Sequence, residues 1–293
     1  MKQPVFEGLA TAIVTPFRNG TIDIPTFEKL LDAQLAANVD AIVVCGTTGE
    51  RNAVVFRAAH AHRPRNAIYR RTLQDHCGNR LERHGSRNRP EPCRVVYGVS
   101  AVLIVTPYYN KCTQAGLIAH YEAIADAISC PRHLLQCPEP HRTGPEIRDL
   151  SGALQTSEHS GCERSGRKPS KIAEDHRALR RRLFVWSGND DEAVTAMALG
   201  AKGLISVLSK RPPQKGARDA PRVPEKRFPN RWALAAGIDS LIGALFCEVN
   251  PIPVKKRWSW RLPVGLPRLP LTGLTEEKLP HGKGCACRDS PDA

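Results

Sequence analysis

The sequence predicts a parallel α/β fold, and three observations predict it. Short apolar runs alternate with amphipathic segments over roughly 200 residues, the pattern of strands joined by crossover helices. Five runs are legible as strands, with gaps of suitable length between the second and third and between the third and fourth. Filling those gaps makes eight strands, a (β/α)8 barrel. The run Ala41-Ile42-Val43-Val44-Cys45 ends in Gly46-Thr47-Thr48-Gly49-Glu50. That places two hydroxyls and several backbone N–H groups at a strand's C-terminal end, where α/β enzymes hold their chemistry.

The strands are expected at Ala12–Phe17, Ala41–Gly46, Ala101–Pro107, Leu183–Gly188 and Gly203–Leu208. Each is a continuous apolar run, as strands buried on both faces require. Between the first two, Ile24–Asn38 puts Phe27, Leu30, Leu31 and Leu35 on one helical face. Gln114–Ile128 and Asp191–Ala201 also read as helices, the second with acids in its first turn and Gly200 near its end. A further helix, Trp232–Phe246, precedes proline-rich text. The expected organisation is a barrel over residues 1–223 and a C-terminal helical region over 224–293.

Charge is distributed unevenly. Residues 1–50 carry Lys2, Arg18 and Lys29 against six acidic side chains. Residues 51–94 carry eleven arginines and no lysine against Asp75, Glu82 and Glu91. More than half of the chain's net charge of +14 sits in that second stretch, which has no clean period of 2 or 3.6. A nucleic-acid patch is the obvious reading of such a run. However, those patches mix lysine with arginine on a patterned scaffold, and no nucleic-acid partner is expected. No stretch approaches the 18 apolar residues of a membrane span, and Met1–Gly8 lacks the apolar core of a secretory signal. With a mean hydropathy of −0.36, a soluble, cytoplasmic protein is expected. The ten cysteines include no Cys-x-x-Cys pair, so no metal site is expected. Cys45 reads as a small core residue, while Cys77, Cys93, Cys137, Cys162, Cys285 and Cys287 fall in irregular text.

Seven segments together carry a family resemblance. They are Thr15-Pro16-Phe17, Gly46–Glu50, Val105-Thr106-Pro107-Tyr108-Tyr109-Asn110-Lys111, Arg142-Thr143-Gly144, Ser187-Gly188-Asn189-Asp190, Gly203-Leu204-Ile205-Ser206-Val207 and Asn250-Pro251-Ile252-Pro253-Val254-Lys255. In order and spacing the chain resembles the dihydrodipicolinate synthase family, within the pyruvate-dependent class I aldolases that include N-acetylneuraminate lyase. The resemblance implies a lysine Schiff base with pyruvate, whose enamine attacks L-aspartate 4-semialdehyde; cyclisation then gives 4-hydroxy-tetrahydrodipicolinate for lysine and diaminopimelate biosynthesis. It implies no cofactor and a homotetramer.

The chain departs from the family where the chemistry is most demanding. The family's Schiff-base lysine lies in text like Val-Lys-Glu-Ala-Ser-Gly-Asn-Leu-Ser-Lys-Ile-Ala-Glu. Counting back from Ser170-Lys171-Ile172-Ala173-Glu174 puts that lysine at Glu163. The catalytic tyrosine belongs to Leu-Tyr-Asn-Val-Pro, where this chain has Leu135-Gln136-Cys137-Pro138, so Gln136 marks its approximate position. Lys168 and Lys171 are the nearest lysines, but they lie past the strand end and are poor replacements for a desolvated amine aimed into a barrel.

A shifted reading frame accounts for both departures. Leu-Gln-Cys-Pro can be written CTA CAA TGT CCC, which one base over reads Tyr-Asn-Val. Ser157–Glu163 can likewise hide Pro-Asn-Ile-Val-Ala-Val-Lys. Asp75–His84 can hide Ile-Ile-Ala-Gly-Thr-Gly-Ser-Asn-Asp-Thr, which resembles the family's third strand, and Arg257–Arg261 can hide Ala-Leu-Glu-Leu-Ala. Four family-like matches at four expected places point to compensating frameshifts. Taken literally, the chain has strands three, five and six replaced by Arg/Pro/His-rich text, which would expose sheet edges.

By resemblance, Thr48 binds the pyruvate carboxylate, while Thr47 and Tyr109 pass protons in a Tyr-Thr-Tyr relay that lets a phenol act near neutrality. Arg142 clamps the second substrate's carboxylate through its guanidinium fork, and Ile205 offers a backbone carbonyl near pyruvate. Plain readings stand beside these: hydroxyls that cap the following helix, a packed aromatic at Tyr109, and a core side chain at Ile205. Two alternatives to the synthase reading remain open: another pyruvate-dependent aldolase, or a catalytically dead basic barrel relative that binds polyanions.

Overall fold

The computed structural model describes residues 4–50, 67–71, 100–105, 113–126, 133–138, 159–165, 173–174, 184–208 and 241–278. The chain divides into two compact units. One comprises Met1–Glu7 and Arg65–Ile205; the other comprises Gly8–Pro64 and Ser206–Ala293.

In the second of these units, strand β1 (Gly8–Ala12) pairs in parallel with β4 (Ala41–Val44), in the register Ala10↔Ala41, Thr11↔Ile42, Ala12↔Val43. The expected first strand, Ala12–Phe17, is therefore displaced. The ladder lies one turn of chain earlier, and Ile13 and Val14 supply core side chains after it. Phe17–Arg18 (β2) and Thr21–Ile22 (β3) form a small antiparallel hairpin. Its turn residues Asn19 and Gly20 both take positive φ, 52° and 77°, as a two-residue turn matched to strand twist demands. Helix α1 (Ile24–Ala36) starts at Asp23, whose carboxylate accepts from Thr26 N at 3.3 Å and Thr26 Oγ1 at 2.9 Å. It buries Phe27, Leu30 and Leu31, three of the four side chains expected on that face; Leu35 is 39% exposed. Gln34, on the same face, accepts from Thr11 Oγ1 at 2.8 Å and ties the helix to β1. Gly8, at φ 106°, lies where an added Cβ would meet Asp40 Oδ2 at 2.3 Å, so only glycine fits there. Residues 241–245 are helical, and the expected Trp232–Phe246 helix ends one residue earlier than predicted, with Phe246 in a turn; residues 232–240 lie outside the described residues. A later helix, Ile252–Ser259, adds Val254 and Trp258 to a core with Phe27, Leu30, Ile42, Leu245 and Val264.

In the other unit six strands pair in parallel and in chain order. They are β5 (Ala67–Arg71), β6 (Ala101–Val105), β7 (His133–Pro138), β8 (His159–Ser165), β9 (Phe184–Ser187) and β10 (Gly203–Ser206). Every residue of β6 is buried, as its uninterrupted apolar text requires. Trp186 on β9 is fully buried. It stacks on Phe6 at 5.3 Å between ring centroids, and its Nε1 donates to the Phe6 carbonyl at 3.2 Å. Helix Gln114–Asp126 buries Leu117 and Tyr121, one turn apart, and helix Ala193–Ala198 buries Ala193 and Ala196.

Three of these strands correct the literal reading of the sequence. Strands stand at Ala67–Arg71, His133–Pro138 and His159–Ser165, in the gaps where staves three, five and six were expected to be lost. A parallel ladder is built from backbone groups, so text without strand periodicity still pairs when flanked by strong neighbours such as β6. Cys137 and Cys162 lie in strands, not in irregular text. The third-strand text expected at Asp75–His84 lies outside the described residues.

Candidate active site

The Gly46–Glu50 turn follows directly on β4. Gly49 N donates to Gly46 O at 3.0 Å and Glu50 N to Thr47 O at 3.1 Å, two overlapping turns. Cys45 and Glu50 bracket them with φ of 56° and 53°. A Cβ on Gly49 would lie 3.0 Å from Cys45 N, so the second glycine keeps the turn tight. Thr15 Oγ1, from the Thr15-Pro16-Phe17 segment, donates to Gly49 O at 2.7 Å.

Within this turn the two threonines differ. Thr47 is exposed, whereas Thr48 is only 2% exposed. Asn250 Nδ2 donates to Thr48 Oγ1 at 2.9 Å. The turn is anchored at its far end by charge. Lys255 Nζ lies 2.5 Å from Glu50 Oε1, and both side chains are almost wholly buried. Lys255 Nζ also donates to Leu266 O at 3.1 Å, and Arg268 N donates to Glu50 Oε2 at 2.8 Å. The Phe17 ring lies 4.5 Å from the Lys255 ammonium and 4.1 Å from the Arg268 guanidinium, two cation–π contacts on one ring. Burial pushes the Lys255 pKa below the ordinary lysine range; the hydrogen bond and charge of Glu50 oppose that shift, and Arg268 adds to it.

A second group of expected residues lies in the six-stranded unit. The β7–β8 register places Gln136 beside Glu163 on neighbouring strands, and the next register pairs Glu163 with Trp186. The two positions where the resemblance asks for tyrosine and lysine are therefore lateral neighbours. Glu163 is 5% exposed and its Oε1 accepts from Ser165 Oγ at 3.3 Å. Gly188 makes room for this pair: an added Cβ would lie 2.3 Å from Ser165 Oγ and 2.6 Å from Glu163 Oε1. Ile205, in β10, is 4% exposed and packs as a core side chain. Tyr109, Arg142, Lys168 and Lys171 lie outside the described residues.

Asn250 and Lys255 carry contacts to the turn that local sequence reasoning does not assign. Their signal was present in the Asn-Pro-Ile-Pro-Val-Lys segment. Their partners, however, lie 202 and 205 positions away, beyond any periodicity. Among the described residues no group of three or more His, Cys, Asp or Glu is placed to hold a metal ion. No helix among them is long and apolar enough to cross a membrane.

Comparison with known proteins gives the family. Residues 5–58 and 94–284 match the model of the dihydrodipicolinate synthetase family. The 4-hydroxy-tetrahydrodipicolinate synthase of Exiguobacterium sibiricum is 35% identical over 291 residues, covering 94% of this chain and 96% of that protein. The synthase of Alkaliphilus oremlandii is 34% identical over 260 residues, covering 86% of this chain and 87% of its own length. Among solved structures, dihydrodipicolinate synthase from Aquifex aeolicus superposes with a TM-score of 0.79 at 27% identity, covering 97% of this chain and 98% of that one. The pyruvate complex of the Acinetobacter baumannii synthase gives 0.74 at 28%, covering 96% and 98%. The α/β class expected from the sequence is thus the fold of these barrel synthases.

Proposed function

Because the chain belongs to the dihydrodipicolinate synthetase family, we propose that it is a 4-hydroxy-tetrahydrodipicolinate synthase by lineage. The reaction is the condensation of pyruvate with L-aspartate 4-semialdehyde in lysine and diaminopimelate biosynthesis. The observation that carries this reading is the Gly46–Glu50 turn, with a buried Thr48 hydroxyl held by Asn250 and a buried Lys255–Glu50 pair locking its end. Such a turn offers hydrogen-bond donors at a strand's C-terminal end, where a small carboxylate binds without a metal. In this reading Thr48 takes the pyruvate carboxylate, Thr47 and Tyr109 pass protons, Arg142 holds the second carboxylate, and Ile205 contributes its carbonyl. The working form is a cytoplasmic homotetramer without cofactor, each subunit a barrel over 1–223 with a helical region over 224–293.

The literal chain lacks the step that makes the enamine. A lysine amine attacks the ketone of pyruvate, loses water and leaves an imine; the Glu163 carboxylate has no nitrogen with which to form one. Two readings follow, and Glu163 supports each. Either the text around it is frameshifted, and lysine stands at 163 and tyrosine near 136 in the restored chain, or the protein is a silent relative that keeps the carboxylate pocket. The family match skips residues 59–93, inside the arginine-rich stretch, which favours the first. Resequencing the gene and trapping the pyruvate adduct with borohydride separate them. The expected result is an adduct at position 163 in the frame-restored chain and none in the literal chain. Unchanged codons unlike those required would leave the silent relative standing.

A further inference from the structure

Thr48 has a hydroxyl with one proton to give and lone pairs to receive. Asn250 Nδ2 uses a lone pair at 2.9 Å, and a proton cannot point at a group that is itself donating. Thr48 is 2% exposed, and no atom among the described residues accepts its hydroxyl proton. Its backbone N–H is likewise not spent on any described group. A residue buried this fully rarely leaves two donors unused, unless a ligand takes them. From this geometry we infer that Asn250 is a positioning residue: by donating to Thr48 it turns the Thr48 proton outward, to the carboxylate of the bound keto acid. The inference rests on the reading above that the site binds pyruvate, and it adds the group that sets the direction of the hydroxyl.

The chemistry singles out an asparagine. A carboxylate ligand is acceptor-only, so the hydroxyl that meets it must present its proton. Aspartate at position 250 has the same shape and the opposite polarity. Ionised, it would accept the Thr48 proton, leaving oxygen lone pairs facing the ligand. Protonation of that aspartate would restore a donor and the original arrangement.

The test is pyruvate affinity of the full-length chain, followed by calorimetry or by NMR of carboxyl-labelled pyruvate, for the parent, Thr48→Val, Asn250→Asp and Asn250→Ala. Asn250→Asp is expected to weaken binding by roughly tenfold or more near neutral pH, the loss of one hydrogen bond to a charged group. Its affinity relative to the parent recovers as pH falls through the carboxyl range. Asn250→Ala, which frees the hydroxyl to rotate, loses less and shows no such recovery. Urea unfolding midpoints accompany each titration, and a purely structural role moves those midpoints without producing the pH-dependent recovery. Equal affinity of parent and Asn250→Asp at all pH values, with Thr48→Val weakened, overturns the inference and leaves the pyruvate reading intact. No pyruvate binding by the parent, or none lost in Thr48→Val, overturns both.

Discussion

Taking the Lys255 ammonium out of water costs several kcal/mol on its own, and three neighbours offset that cost. Glu50 supplies the opposite charge, Leu266 O a second acceptor and the Phe17 ring a negative face. The exchange makes the pair dependent on both members. Lys255→Met keeps the side chain's length but leaves the Glu50 carboxylate buried without its ion-pair partner, with the Arg268 N–H still donating to it and the Arg268 charge nearby. The expected loss is about 3–5 kcal/mol, the cost of breaking a desolvated pair from one side, read from the urea unfolding midpoint. A loss under about 1 kcal/mol would place the pair in the class of exposed ion pairs. Nothing in the local text predicts this contact. A lysine in Pro-Val-Lys-Lys-Arg reads as one of a basic run, and only the tertiary fold separates buried Lys255 from its half-buried neighbour Lys256. The turn that holds Thr48 was legible because its glycines and threonines lie together in the local text. Asn250 was not, because its partner lies 202 positions away.

At the scale of the element, α1 combines the signals that sequence reading uses best: a capping acid, a proline in the first turn and apolar side chains at helical spacing. Burial works against the charged form of Asp23, yet the Thr26 hydroxyl and N–H, with Arg18 and Lys29, hold its carboxyl below the usual range. Asp23→Ala is therefore expected to cost about 1 kcal/mol at neutral pH. A carboxyl with a depressed folded pKa stabilises fully above its unfolded value and loses that contribution as pH falls through the folded one. The difference between parent and variant should thus shrink with acidification below about pH 4, measured by denaturant unfolding at stepped pH. A difference that stays constant to low pH would remove the charge from the explanation. The first strand shows where such signals fail. Apolar text runs through Ile13 and Val14, but the paired register with β4 ends at Ala12, with one further bond from Ile13 N to Val43 O at 3.0 Å closing it. Apolarity reports burial, and a ladder reports backbone pairing; here the two are offset by several residues. Strand β8 is the opposite case. Its text carries glycine, cysteine and charge, and its pairing rests on backbone groups and on Gly161, where a Cβ would meet Phe184 O at 2.2 Å.

At the scale of the whole molecule, the fold class was legible because strand runs and helices survive on both sides of the irregular stretches. Of the candidate site, only part falls on described residues, since Tyr109 and Arg142 lie outside them. The family match runs through residues 5–58 and resumes at 94, and the skipped residues lie within the segment that holds eleven arginines and no lysine. On the proposed frameshift reading, that segment has lost its side-chain chemistry while its flanking text keeps the family pattern. Gln136 and Glu163 are paired in register on the neighbouring strands β7 and β8, and the proposed tyrosine and lysine would occupy these two positions. The decisive measurement is synthase turnover with pyruvate and L-aspartate 4-semialdehyde for the literal chain, Glu163→Lys and the chain frame-restored around residues 132–141 and 155–169. Loss of a covalent nucleophile costs on the order of 10⁴-fold or more in rate, so the literal chain should be essentially inactive. Glu163→Lys alone should recover little, because Gln136 still stands where the phenol is needed and Arg164 still flanks the amine. The restored chain returns both groups to neighbouring strands at once, and turnover with them. Comparable turnover by the literal and restored chains would show that the nucleophile lies elsewhere and that position 163 was never its place.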